Sequence, residues 1–373
     1  MEEKFEYKLP PGNGSIKKAA SFKKMSPVQQ NIYKRIYDPV NGILEFINHC
    51  VYVNRNGIQL YQPFDYQKEM LFNIHNYDRA VSLVSRQSGK TASSAAYILW
   101  FATTHPSKQI LITSQDMRSA NEILTTIKLM YEYCPNFLKR GFVKMNESEL
   151  WFDNGSRIFS RASNNKAARG LSPALIYCDE FALVGTQDSP TKARGKQEEF
   201  FSSITPALSA SHGKLNITST PIAETDLFYS IWSGAIKKTD DNGLELPRDY
   251  IIEINGKCYN DFHLFKSEDE GKQYLESIGN PDGYKIVSKE PAGVNGFQSL
   301  FATWDKCPFR TPEWAQQEVK VIGEEKFERE YNCISGKSMI NIIDTNGKEE
   351  KISIKDLYER FGTNTGKYIW VLY

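Results

Sequence analysis

Residues 80–105 read AVSLVSRQSGKTASSAAYILWFATTH: an apolar run, a short polar loop ending in Gly-Lys-Thr, then a helix of small and apolar residues. A strand that turns through Gly-Lys-Thr into a helix presents the helix's first N–H groups, at the positive end of its dipole, to the loop. That is the wiring of a phosphate loop. Its usual form is G-x-x-x-x-G-K-[ST], in which amides cradle the phosphates, the lysine reaches the outer ones and the hydroxyl binds Mg²⁺. Gly89, Lys90 and Thr91 match, while Val84 stands where the first glycine belongs. The anion nest of Ser85, Gln87, Ser88 and Gly89 survives that loss, because the closest approach is made at Gly89. In exchange the loop carries Arg86, whose planar fork suits the developing charge on a γ-phosphate in the same subunit.

Apolar runs at 80–85, 109–114, 157–162, 174–179 and 214–220 alternate with helical periodicity in 90–105 and 119–134. This predicts an α/β fold, a nucleotide-binding core whose mainly parallel sheet is flanked by helices. Four segments follow: a helical, basic 1–60, an ATPase core over 61–238, a second subdomain with linker helices over 239–332, and a C-terminal 333–373. Thr311 and Pro312 read as the N-cap and first position of a linker helix. With 40% hydrophobic residues and a formal charge of +1, total charge names no partner. A local basic run holds Lys17, Lys18, Lys23, Lys24, Lys34 and Arg35, with a solvated terminus as the plainer reading. Six scattered cysteines argue against a zinc site or disulfide framework and for a reducing cytosol. No signal peptide or membrane-spanning run is present in the sequence.

The run ALIYCDEFALV ends a strand in two adjacent carboxylates. Asp179 suits the metal, and Glu180 suits orienting and deprotonating an attacking water. Three smaller features fall around them. Gln67, beside Tyr66, is placed to read an adenine edge, although glutamine is common at helix starts. Thr218, Ser219 and Thr220 end a strand where hydroxyls would sense a γ-phosphate, or simply form a turn. Arg169, on a loop upstream of Asp179, is either a finger offered to a neighbouring subunit or an ordinary surface arginine.

Together SRQSGKT, LIYCDEFA, TSTP followed by LFYSIW, and GEEKFEREYNC resemble the large terminase subunit of tailed bacteriophages, from about Pro63 to Asn332. The resemblance implies an ATP- and Mg²⁺-dependent motor in the host cytoplasm. It would act as a homo-oligomeric ring on double-stranded DNA with the portal protein and small terminase subunit. It further implies Lys90 and Thr91 on phosphate and Mg²⁺, Arg86 in cis, Arg169 in trans, Asp179 and Glu180 as metal holder and base, and Thr218–Thr220 as the coupling motif. Large terminases continue into a nuclease domain, for which this chain is too short.

Instead CISGKSMI, from Cys333, resembles the opening block of inteins, and Asn346-Gly347 between apolar runs signals a hairpin. Cys333 would attack the Asn332 carbonyl and exchange an amide for a thioester. A complete intein also needs a histidine and a terminal asparagine, and all five histidines lie at or before His263. The expectation is the N-terminal piece of a split intein whose partner polypeptide carries the C-terminal half and the nuclease. Alternatives are a closing hairpin of the same enzyme, a helicase-like nucleic-acid ATPase, or a non-hydrolysing nucleotide-binding module.

Overall fold

The structure, a computed structural model, describes residues 19–54, 57–186, 190–223, 225–333, 339–343, 349–353 and 370–372. Ser26 opens the first helix, α1 (Pro27–Ile36): its hydroxyl accepts the Gln29 N–H at 3.3 Å and the Gln29 side chain accepts the Ser26 N–H at 3.0 Å. α2 (Gly42–Ile47) and the hairpin β1 (Val51–Asn54) and β2 (Gly57–Leu60) follow. Ile32, Ile36, Ile43, Phe46 and Ile47 are buried, and the Trp100 indole donates to the Ile36 carbonyl at 2.9 Å. From Ile32 onward the N-terminal segment is therefore part of the core, not a solvated arm.

The chain then runs α3 (Asp65–Asn76), β3 (Arg79–Val84), α4 (Lys90–Thr104), β4 (Gln109–Ser114), α5 (Met117–Tyr133), β5 (Phe142–Met145), β6 (Glu149–Phe152), β7 (Arg157–Ala162), β8 (Leu175–Asp179), α6 (Pro190–Ser211), β9 (Lys214–Ser219) and α7 (Leu227–Ile236). All five expected strands form, to within a residue at either end. Next come β10 (Asp249–Ile254), β11 (Leu264–Phe265), α8 (Glu268–Ser277), β12 (Tyr284–Lys289), β13 (Gln298–Ala302), α9 (Pro312–Ile322) and α10 (Glu324–Phe327). Thr311 caps α9 as expected, accepting the Trp314 N–H at 3.2 Å.

Eight strands pair in the order β13-β3-β9-β8-β4-β7-β6-β5. The first six are parallel, and β6 and β5 close one edge antiparallel. Strand alternation splits the core into two layers. Ile110, Ile112, Leu175 and Tyr177 face Tyr97 and Trp100 of α4 and Leu124 and Ile127 of α5. Leu111, Ile176 and Cys178 face Phe200 and Ile204 of α6 and Phe228 and Ile231 of α7. The register sets Asp179 opposite Thr218 and Thr218 opposite Ser82, so the ends of β8, β9 and β3 are level. The crevice outside the carboxyl ends of such strands is where α/β sheets bind ligands.

A second sheet pairs β10 antiparallel with both β11 and β12 and packs on α8 around Ile252, Phe265 and Leu275. The C-terminal segment contributes β14 (Met339–Ile343), antiparallel to β15 (Glu349–Ser353) and β16 (Trp370–Leu372). The Asn346-Gly347 turn lies outside the described residues. No helix among the described residues is long and apolar enough to cross a membrane.

Candidate active site

The loop from Ser85 to Gly89 joins β3 to α4 and takes a left-handed φ twice, at Gln87 (φ 54°) and Gly89 (φ 78°). At Gly89 a side chain is excluded twice over: the φ is left-handed, and a Cβ would lie 2.5 Å from the Gln67 amide nitrogen. The loop's carbonyls face downward. Ser88 O accepts from the Tyr66 hydroxyl at 2.6 Å and the Gln67 amide at 2.7 Å, and the Ser88 hydroxyl donates to Ser85 O at 2.6 Å. Lys90 then starts α4, with Thr91 one residue on.

Lys90 reaches across to the end of β8, where Nζ pairs with Glu180 Oε1 at 2.5 Å. Glu180 gets there by a left-handed backbone twist (φ 48°, ψ 48°), while Asp179 remains in the strand. A non-glycine residue in that region is strained, and such strain clusters at functional sites. Glu180 Oε2 accepts from the Thr220 N–H at 3.1 Å and the Thr220 hydroxyl at 3.3 Å, with the Ser219 hydroxyl at 3.4 Å. Asp179 Oδ1 accepts from the Tyr177 hydroxyl at 2.8 Å and the Thr218 hydroxyl at 2.9 Å. The hydroxyls of 218–220 thus rest on the two carboxylates, one strand over from the loop.

The two acids are driven apart electrostatically. Burial, reinforced by the neighbouring Glu180 charge, pushes the Asp179 carboxyl above its ordinary value against the opposing pull of Lys90. Burial also acts to raise Glu180, but the Lys90 ammonium and the Thr220 donors outweigh it and hold that carboxyl below its ordinary value. The two adjacent carboxyls thus carry opposite tendencies.

Several expected residues sit elsewhere. Gln67, expected on an adenine edge, is buried beneath the loop with its amide fully engaged: Oε1 accepts the Phe64 N–H at 2.9 Å while Nε2 holds Ser88 O. Ser85, expected in the nest, is also buried; its N–H pairs with Ala302 O at 2.9 Å and its hydroxyl faces Arg310 at 3.2 Å. Arg86, expected on a γ-phosphate, is exposed and ion-paired to Glu330 at 2.9 Å, with its N–H on Glu330 O at 2.8 Å. Arg169 lies exposed on the β7–β8 loop, and among the described residues no hydrogen bond or ion pair links its side chain to the cluster. Cys333, expected as a nucleophile, is buried in the apolar cluster that also holds Val81 and Leu83, and burial pushes its thiol up to about 12. A thiol held protonated does not attack.

Three contributors were not among the expected residues. Tyr177 lies two residues before Asp179 on the same strand face, a spacing that was legible. Glu330 and Arg310, by contrast, reach the loop from more than 220 residues away in sequence. Beside the loop a cleft of about 250 Å³ is lined by Asp65, Tyr66, Glu69, Tyr259, Phe301 and Lys306, among others.

A sequence model described as the terminase large subunit, T4likevirus-type, N-terminal, matches residues 81–347, running past Cys333. The chain belongs to this family. Among solved structures, the large terminase of bacteriophage HK97 is similar at 17% identity and TM-score 0.50, over 80% of this chain and 55% of that one. The ATPase domain of the Thermus phage P74-26 large terminase is similar at 18% and 0.47, over 73% and 94%. The large terminase of the thermophilic bacteriophage D6E, in complex with ATP-γ-S, is similar at 12% and 0.43, over 75% and 54%. The chain thus spans about half of the HK97 terminase, and the terminase family's α/β fold is the one observed.

Proposed function

We propose that this phage terminase domain hydrolyses ATP and that hydrolysis drives double-stranded DNA into proheads. The observation that carries it is the Lys90–Glu180 pair at 2.5 Å, at the mouth of α4, beside a buried Asp179. An ammonium bridged to a carboxylate is a lock that a triphosphate opens: phosphate oxygens replace Glu180 on Lys90. The released carboxylate is then the base that takes a proton from the water attacking the γ-phosphorus.

The donors fit a magnesium ion. Thr91 and Asp179 offer only oxygen, the set Mg²⁺ prefers, and Oδ1 of Asp179 is already held by Tyr177 and Thr218. When bound, the ion would supply charge neutralisation at the outer phosphates. Ser88, Gly89 and Gln87 contribute amides, Arg86 would exchange Glu330 for the γ-phosphate, and Arg169 would serve a neighbouring subunit in a ring. Thr218, Ser219 and Thr220 would sense the loss of phosphate and pass it to a neighbouring element. The cleft beside Tyr66 takes the base. The core over 61–238, the subdomain over 239–332, and partnership with a portal protein and small terminase subunit belong to this same reading.

Glu180→Gln tests it. ATP binding should persist while turnover falls by roughly 10²–10⁴-fold; unchanged turnover removes Glu180 from the mechanism.

We propose secondly, on the CISGKSMI resemblance, that 333–373 is a split-intein fragment and the chain a precursor spliced in trans to a nuclease polypeptide. Burial of Cys333, which pushes its thiol up to about 12, supports the idle half of that reading, in which the fragment alone would not react. Mixing the chain with a polypeptide carrying an intein C-terminal half should give a ligated product by mass spectrometry that Cys333→Ala abolishes. Ligation that survives that change, or none at all, refutes it.

A further inference from the structure

We infer that Arg310 is a positioning residue of the nucleotide site, locking the loop's amides toward the phosphates from beneath. The inference rests on the ATPase reading above. Arg310 lies between Cys307, whose carbonyl accepts its N–H at 2.9 Å, and the α9 cap Thr311. Its side chain enters the floor of the loop. One terminal nitrogen donates to the Ser85 hydroxyl at 3.2 Å, the other to the carbonyls of Arg86 at 2.7 Å and Gln87 at 3.2 Å. The guanidinium is held over the rings of Trp314 and Tyr331, at 4.8 and 5.0 Å.

Two consequences follow from peptide geometry and charge. In a trans peptide, the carbonyl of one residue and the N–H of the next point in opposite directions, and no cis bond occurs among the described residues. Arg310 draws the Arg86 and Gln87 carbonyls down, and Tyr66 with Gln67 draws Ser88 O down. The N–H groups of Gln87, Ser88 and Gly89 are thereby turned up, as an anion nest requires. A loop lacking the usual first glycine has its conformation imposed from outside. The second consequence concerns charge. Arg310 is 7% exposed, and among the described residues no carboxylate lies within ion-pair distance of it. A buried cation without a counter-charge is costly by itself and favours an anion arriving just above.

The test compares wild type, Arg310→Lys and Arg310→Met, each checked for folding by thermal melting without nucleotide. Lysine keeps the charge but not the fork, and methionine keeps neither. For both variants we expect the Kd for ATP and the KM to rise about tenfold or more, with lysine rescuing only part, while kcat falls less than about threefold because Lys90 and Glu180 are untouched. Folded variants with wild-type Kd and KM overturn the inference, as does a loss of kcat at constant KM. If neither variant folds, Tyr66→Phe tests the same lock by removing one donor to Ser88 O; weaker ATP binding supports it and unchanged binding refutes it. Wild-type protein that binds no ATP would sink the ATPase reading instead.

Discussion

At the scale of single residues, the site depends on backbone directions as much as on side chains. Gly89→Ala places a Cβ against Gln67 and strains a left-handed φ. We expect a loss of about 1–3 kcal/mol in unfolding free energy, read by denaturant titration, together with weaker ATP binding. Wild-type stability and affinity would show that the loop tolerates the methyl. Gly89, Lys90, Asp179 and Glu180 were legible in the sequence because each owes its place to neighbours a few residues away: a strand end, a helix start. Gln67 and Ser85 have partners that were not legible, for the opposite reason. Their polar atoms are claimed by groups from other elements, Ser88 for one and Arg310 for the other, which no local pattern announces.

Among the elements, the best-read ones have their apolar pattern unbroken. Of the five strands read from the sequence, β3, β4 and β8 are near-continuous apolar runs because helices cover both faces. β13 was missed, since QSLFA sits in a polar stretch and its Phe301 is exposed on an edge strand. The β5–β6 hairpin was missed likewise: Phe142–Met145 is an outermost strand with three exposed residues out of four. α9 carries a prediction of its own. Removing its cap by Thr311→Ala should cost about 1 kcal/mol, measured by chemical denaturation. Because Arg310 precedes the cap directly, the same change should weaken ATP binding; a variant that loses stability but keeps its affinity would show that the cap and the loop floor are independent.

For the molecule as a whole, one histidine predicts a loss of stability in acid. His75 is packed against Tyr97, Trp100 and Phe262, and burial, helped by Lys214, lowers its pKa to about 4. The folded chain keeps this ring neutral where the unfolded chain protonates it. Stability is therefore full above the ordinary value of 6.5 and declines as pH falls toward 4, by up to about 3 kcal/mol from this group. His75→Phe should flatten the pH dependence of the melting temperature over that window; an unchanged slope would assign the acid sensitivity to other groups. The strand order has a consequence for synthesis. β3, which carries the loop, lies between β9 and β13, and the residue that floors the loop follows later still, at 310. A nascent chain on the ribosome would thus have made the loop, Lys90 and the Asp179–Glu180 pair long before the residue that floors the loop. Arrested chains should stay unable to retain ATP until Arg310 has cleared the exit tunnel, with one flank of β3 open to chaperones in the meantime.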